Sequence, residues 1–277
     1  MSRIISVSTA LFDGYPIEQA IEEIAAAGVH SLEPAYIEGY VDFDESAFSP
    51  ANGRRLAART ASAGMTVTAV SAHLNLARRD ASHMLRARIV FAGLLGARFL
   101  ITNAGSAADR DSIVALLREV APECHAAGVQ IALENPGHGS GSLIGGAADG
   151  RKLLSTLGLP EVGLNYDVGN VFTYSHERVA PEDDLRGTES GILHVHLKDV
   201  ASSAAGWEFT AIGDGSIDYR AVWAELSRDV PVCIELPLRL DRTDRTAPSR
   251  RVSRVPLVTI RTAMRRSLDR VAELDGQ

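Results

Sequence analysis

The chain has 277 residues, 45% of them hydrophobic, and a formal net charge of −7 from 35 acidic and 28 basic residues. That is enough to bury a full core, and the acidic balance argues against a nucleic-acid partner, which needs a basic footprint. No apolar run reaches the ~20 residues of a membrane span. Cys124 and Cys233 are too few for a disulfide framework and are expected as buried thiols.

Short β-like runs alternate with longer amphipathic stretches. Strands are expected at residues 4–9, 31–34, 66–72, 99–103, 129–134, 162–167, 192–197 and 232–236, eight in all. Helices are expected between them, the first at 17–27, where apolar residues 17, 20, 21, 24 and 25 make one helical face. The pattern repeats at 50–63, 81–95, 112–127 and 147–157. Five of these helices run into a glycine before the next strand: Gly28, Gly64, Gly96, Gly128 and Gly158. Glycine takes the left-handed conformation past a helix end without steric cost. Repeated units of this kind predict βα architecture, and with no linker rich in Pro, Gly or Ser the chain reads as one domain over 1–277. The N-terminal run lacks a cleavage pattern, so no signal peptide is expected and the cytoplasm is.

Two loops are long. Residues 172–188 carry Glu182, Asp183 and Asp184; residues 237–251 are rich in arginine. Asp218 in GDGSID is expected to cap the helix that follows. A basic helix is expected at 256–274.

Four strand ends carry a side chain that can bind a metal: Glu134, Asp167, His196 and Glu235, separated by 33, 29 and 39 residues. Each gap is about one strand–helix unit. In a closed parallel barrel the C-terminal strand ends meet at one rim, so the four converge. Alternation along a strand turns His194 with His196, Asn165 with Asp167, and Cys233 with Glu235. Carboxylate and imidazole ligands suit a hard or borderline divalent ion. Three more strand ends, Glu33, His73 and Asn103, are candidate substrate contacts. His138 and His176 read as exposed loop residues.

The runs ALENPG, NYDVGN, HVHLKD and GDGSIDY, in that order, resemble the xylose-isomerase-like TIM-barrel family of sugar phosphate isomerases and epimerases. The resemblance covers nearly the whole chain. It implies a single (β/α)8 TIM barrel with one divalent metal (Mn, Mg, Co or Zn) on Glu134, Asp167, His196 and Glu235. In the family pattern the second histidine of HxH binds the metal, which assigns His196 to the ion and His194 to the barrel interior. Lys198 stands where relatives place a basic residue that reaches substrate oxygens. Asn170 stands where many have a substrate-touching histidine; an amide can bind a hydroxyl but cannot shuttle a proton. The implied function is isomerisation or epimerisation of a small sugar, keto-sugar or sugar acid through a metal-stabilised enediolate, with Glu134 and Glu235 as catalytic base and conjugate acid. A dehydratase or lyase acting on an inosose-like or keto-sugar substrate uses the same enolate, and a non-catalytic sugar-binding subunit is a further alternative. An abasic-site endonuclease shares the barrel but needs three zinc ions, more histidines and a basic groove. The expected partner is a small carbohydrate, with no nucleic acid and no membrane, and a homodimer or homotetramer is left open.

Overall fold

The computed structural model describes residues 3–188 and 190–276. Eight parallel strands form the barrel: β1 (Ile5–Ser8), β2 (Ser31–Glu33 with Ala35–Tyr36), β3 (Thr66–Val67 with Ala69–Ala72), β4 (Phe99–Asn103), β5 (Gln130–Glu134), β6 (Val162–Asp167), β7 (Ile192–Leu197) and β8 (Val232–Ile234). Each pairs with the next, and β8 returns to β1 through Ser6 opposite Cys233. The ring is closed. β2 is broken at Pro34, whose nitrogen has no hydrogen to donate, yet its carbonyl still accepts from Ser71 N at 3.0 Å.

Helices α1 (Ile17–Ala26), α2 (Pro50–Ser62), α3 (Ala81–Leu94), α4 (Arg110–Ala127) and α5 (Ala147–Leu157) follow the first five strands. The start of α2 is chemically marked: Ser49 Oγ accepts from Asn52 N and Pro50 takes the first turn, where its missing N–H costs nothing. The ends of the helices are marked as well. All five anticipated glycines have positive φ, and Gly128 N closes α4 onto Cys124 O and His125 O.

Alternation along the strands sorts the side chains. Val70, Leu100, Ile131, Leu164, Val195 and Ile234 join the large core with the helices, while Ala69, Phe99, Ile101 and Ala132 form a separate small cluster. The second set lies inside the barrel, on the face of His194 and His196; the Phe99 ring centroid is 6.0 Å from that of His194.

The long loops carry secondary structure of their own. Residues 172–188 contribute to two short helices, α6 (Val168–Tyr174) and α7 (Pro181–Leu185). Residues 237–251 supply strands Leu240–Thr243 and Ser249–Arg250, which pair with a hairpin of Asp199–Ser203 and Gly206–Thr210 in a small antiparallel sheet beyond the strand ends. Asp218 accepts from Arg220 N and Ala221 N and caps α8 (Tyr219–Glu225). The chain closes on α9 (Leu257–Asp275). Among the described residues no helix is long and apolar enough to cross a membrane.

Candidate metal centre and cavity

Register brings the chemistry together. Asp167 on β6 lies opposite His196 on β7, His196 opposite Cys233 on β8, and Glu134 on β5 opposite Asn165 on β6. Ligand atoms of Glu134, Asp167 and His196 all come within 4.8 Å of one another. Glu235, two residues further along than Cys233, sends Oε2 to 3.6 Å from His196 Nδ1. All four of these residues are buried.

The imidazole of His196 has two different neighbours. Its Nε2 meets Glu33 Oε1 at 2.9 Å, and its Nδ1 faces Glu134 Oε2 at 3.0 Å without hydrogen-bond alignment. Glu134 is fixed by two amides: Asn165 Nδ2 donates to Oε2 at 2.7 Å, Asn170 Nδ2 to Oε1 at 3.2 Å. Asn135 Nδ2 donates to Asp167 O and Asn135 Oδ1 accepts from Asp167 N, both at 2.9 Å, tying the ends of β5 and β6 together. Asp167 Oδ1 accepts from Asn170 N and caps α6. Gly137 is required by close approach, since a Cβ there would stand 2.4 Å from Asn170 Oδ1.

Lys198 is buried at the inner end of the site, its ammonium 2.6 Å from Asp167 Oδ2 and 2.7 Å from Glu235 Oε2. Burial would pull this amine down, but Asp167 and Glu235 outweigh it and hold the group well above its ordinary value. His196 behaves alike: burial lowers it, while Glu33, Glu235 and Glu134 together carry it well above the usual imidazole range. Burial acts to raise Glu134, yet the charges of His73 and His196 keep it well below the carboxylate range. His194 has no such surplus. Burial presses it down to about 4 despite Glu33, and its Nδ1 lies 2.8 Å from Asn165 Oδ1.

The donors fit a divalent cation. His196 Nδ1 and Glu235 Oε1 are buried without a hydrogen-bond partner, a condition native interiors otherwise avoid, while Asp167 Oδ2 and Glu235 Oε2 share the single ammonium of Lys198. The four carboxylates of Glu33, Glu134, Asp167 and Glu235 face one lysine and the imidazoles of His196 and His73, which still leaves negative charge for an ion to neutralise. Glu33, His196 and Cys233 form a second group within ligand distance, but Glu33 is engaged with His196 Nε2, and burial pushes the Cys233 thiol well above its ordinary value.

A cavity of about 1080 Å³ opens in front of the centre. Glu134 and Glu235 line it; Asp167 and His196 do not. His73, Asn103, Asn170 and Lys198, expected as substrate contacts, also line it. His73 Nε2 stands 3.6 Å from Glu134 Oε2. Glu33 is placed otherwise. It lies outside the cavity wall, fully buried, with Oε1 on His196 Nε2.

A model of the xylose isomerase-like TIM barrel family matches residues 21–254. The chain belongs to that family. No curated protein matches it. Among solved structures, an L-ribulose 3-epimerase superposes with a TM-score of 0.74 at 20% identity, covering 100% of this chain and 95% of its own. The D-psicose 3-epimerase of Clostridium cellulolyticum H10, solved with D-tagatose, gives 0.75 at 17% identity over 99% of both chains. The IolI protein with a bound zinc atom gives 0.73 at 16% identity, over 99% of this chain and 98% of that one. At these identities the likeness is one of fold.

Within this family member, several site residues carry no motif of their own. Tyr40 lines the cavity from the loop after β2, and burial raises its phenol to about 12. Arg242 stacks on Trp207 with its guanidinium carbon 4.6 Å from the ring centroid and donates to Gly137 O at 2.9 Å, bracing the glycine-rich loop after β5. Asn165 and Asn135 orient Glu134 and Asp167. Strand alternation gave the side of the barrel for Asn165 but not its partner.

Proposed function

We propose that this protein is a divalent-metal-dependent isomerase or epimerase of a small sugar, acting by proton transfer. The observation that carries the reading is the division of the four ligands. Glu134 and Glu235 reach the cavity, where a substrate carbon can meet them, while Asp167 and His196 stay behind the wall as holders. The L-ribulose and D-psicose 3-epimerases and the zinc-bearing IolI protein share the fold and support the same class of chemistry.

Glu134, Asp167, His196 and Glu235 would hold the ion. When bound, it supplies a Lewis acid toward a carbonyl and its neighbouring hydroxyl. The remaining work falls to side chains. Glu134 is clamped by Asn165 and Asn170, so its carboxylate meets the substrate in one orientation. In the metal-free protein His73 and His196 keep it ionised. Glu235 has Oε2 on Lys198 and Oε1 free of hydrogen bonds, and is suited to return a proton to the neighbouring carbon or to the opposite face. General base catalysis of this kind contributes roughly 10²–10⁴-fold. Lys198 and His73 stand beside both carboxylates, placed to steady substrate oxygens.

A metal-supplemented screen of keto- and aldo-sugars, read by NMR, tests the proposal. It expects conversion of one sugar into an isomer or epimer of the same mass. A product lighter by one water would make the enzyme a dehydratase instead.

A further inference from the structure

The cavity wall shows how much charge a substrate can carry. Away from the metal centre it bears five carboxylates, Glu38, Asp42, Asp44, Glu45 and Asp80, and two arginines, Arg78 and Arg88. Both arginines are already engaged. Arg88 is buried against the Phe48 ring at 4.1 Å and grips both oxygens of Glu45 at 2.8 Å. Arg78 grips both oxygens of Asp80 at 3.0 and 3.1 Å. At the inner end Lys198 is held by Asp167 and Glu235. The arginine-rich loop does not help: Arg239 and Arg250 turn to Asp13, Arg250 also to Asp42, Arg245 to Glu177, and Arg242 to backbone carbonyls. None of these four lines the cavity.

From this we infer that the substrate carries no negative charge: an uncharged polyhydroxy ketone or aldehyde rather than a sugar phosphate or sugar acid. The inference rests on the proposed reaction class and narrows it. A phosphate or carboxylate is held by charge-assisted bonds from arginine, lysine or clustered N–H groups. Here both arginines on the wall are spent on carboxylates, and carboxylates outnumber arginine and lysine together in a cleft that concentrates their field. Hydroxyl groups meet better partners. Asn75 and Asn103 line the cavity with neutral amides that both donate and accept.

The test uses metal-loaded protein with neutral ketopentoses and ketohexoses, their terminal phosphate esters and the matching sugar acids. Isotope exchange in D₂O reads turnover and calorimetry reads binding of the same compounds. A neutral sugar should exceed its charged derivatives by about 100-fold in both kcat/KM and affinity, since like charge in a cleft costs several kcal/mol. The double variant Glu38→Gln, Asp44→Asn should narrow that gap by improving the anions. A phosphate ester or sugar acid binding as tightly as its neutral parent would overturn the inference, as would binding of none of the compounds. Exchange failing for every compound would instead sink the isomerase reading, and the binding preference would still decide the charge.

Discussion

Glu33 and His196 form a buried pair, with Glu33 Oε1 2.9 Å from His196 Nε2 on the side of the ring away from Glu134. A carboxylate in that position fixes the tautomer of a metal-binding imidazole and raises its basicity. Replacing Glu33 by Ala should weaken binding of Zn²⁺ or Mn²⁺ by roughly 10–100-fold. Calorimetric titration of the metal-free protein measures this. Unchanged affinity would mean that Glu33 does not act through His196.

Lys198 contacts two of the oxygens an ion would use, Asp167 Oδ2 and Glu235 Oε2. In metal-free protein the ammonium neutralises them. Lys198→Met should therefore cost the metal-free form about 3–5 kcal/mol, the expected penalty for stranding a buried charge. Added metal should restore much of that, so the metal-induced rise in Tm should be larger in the variant than in the wild type. Equal rises in both proteins would contradict the compensating role. kcat/KM should also fall, because Lys198 lines the cavity.

Burial holds His194 at about 4 in the folded protein, against about 6.5 in an unfolded chain. Between those values the unfolded chain binds the proton and the folded one does not. Stability from this group is thus complete above about 6.5 and is lost as pH falls toward about 4. The full effect is roughly 3 kcal/mol. Comparing denaturant midpoints of wild type and His194→Gln across that window isolates it, since the variant should lose the dependence. An NMR titration of the His194 ring with a midpoint near neutrality would contradict it.

Much of the barrel is legible in the sequence because two local signals agree. Strands β4, β6 and β7 fall where the apolar runs place them, and the glycines at 28, 64, 96, 128 and 158 all adopt the conformation that makes glycine necessary. The convergence of Glu134, Asp167, His196 and Glu235 is legible for the same reason: each lies within one residue of the end of a strand, and parallel strands share a rim. The hairpin of Asp199–Ser203 and Gly206–Thr210 is not, although Val200, Trp207 and Phe209 are its buried side chains. Its apolar positions are few and pack across the barrel mouth. The arginine-rich loop is harder to read. Its partners Asp13, Asp42 and Glu177 lie far away in the chain, so sequence leaves open whether those arginines face an anion or a carboxylate. Nothing in the sequence pairs Glu33 with a partner, and only the closed ring shows that it meets His196.

The central claim is proton transfer by two carboxylates at a metal-holding site, and isotope incorporation tests it most directly. Wild-type protein, loaded with a divalent metal, is given its substrate in D₂O, and the product is read by NMR. The account predicts deuterium at the carbon next to the carbonyl, and near-complete loss of turnover in both Glu134→Gln and Glu235→Gln even where metal is retained. Product formed by the wild type with no deuterium at that carbon would mean hydrogen passes between carbons without exchange, and would contradict the roles given to both glutamates.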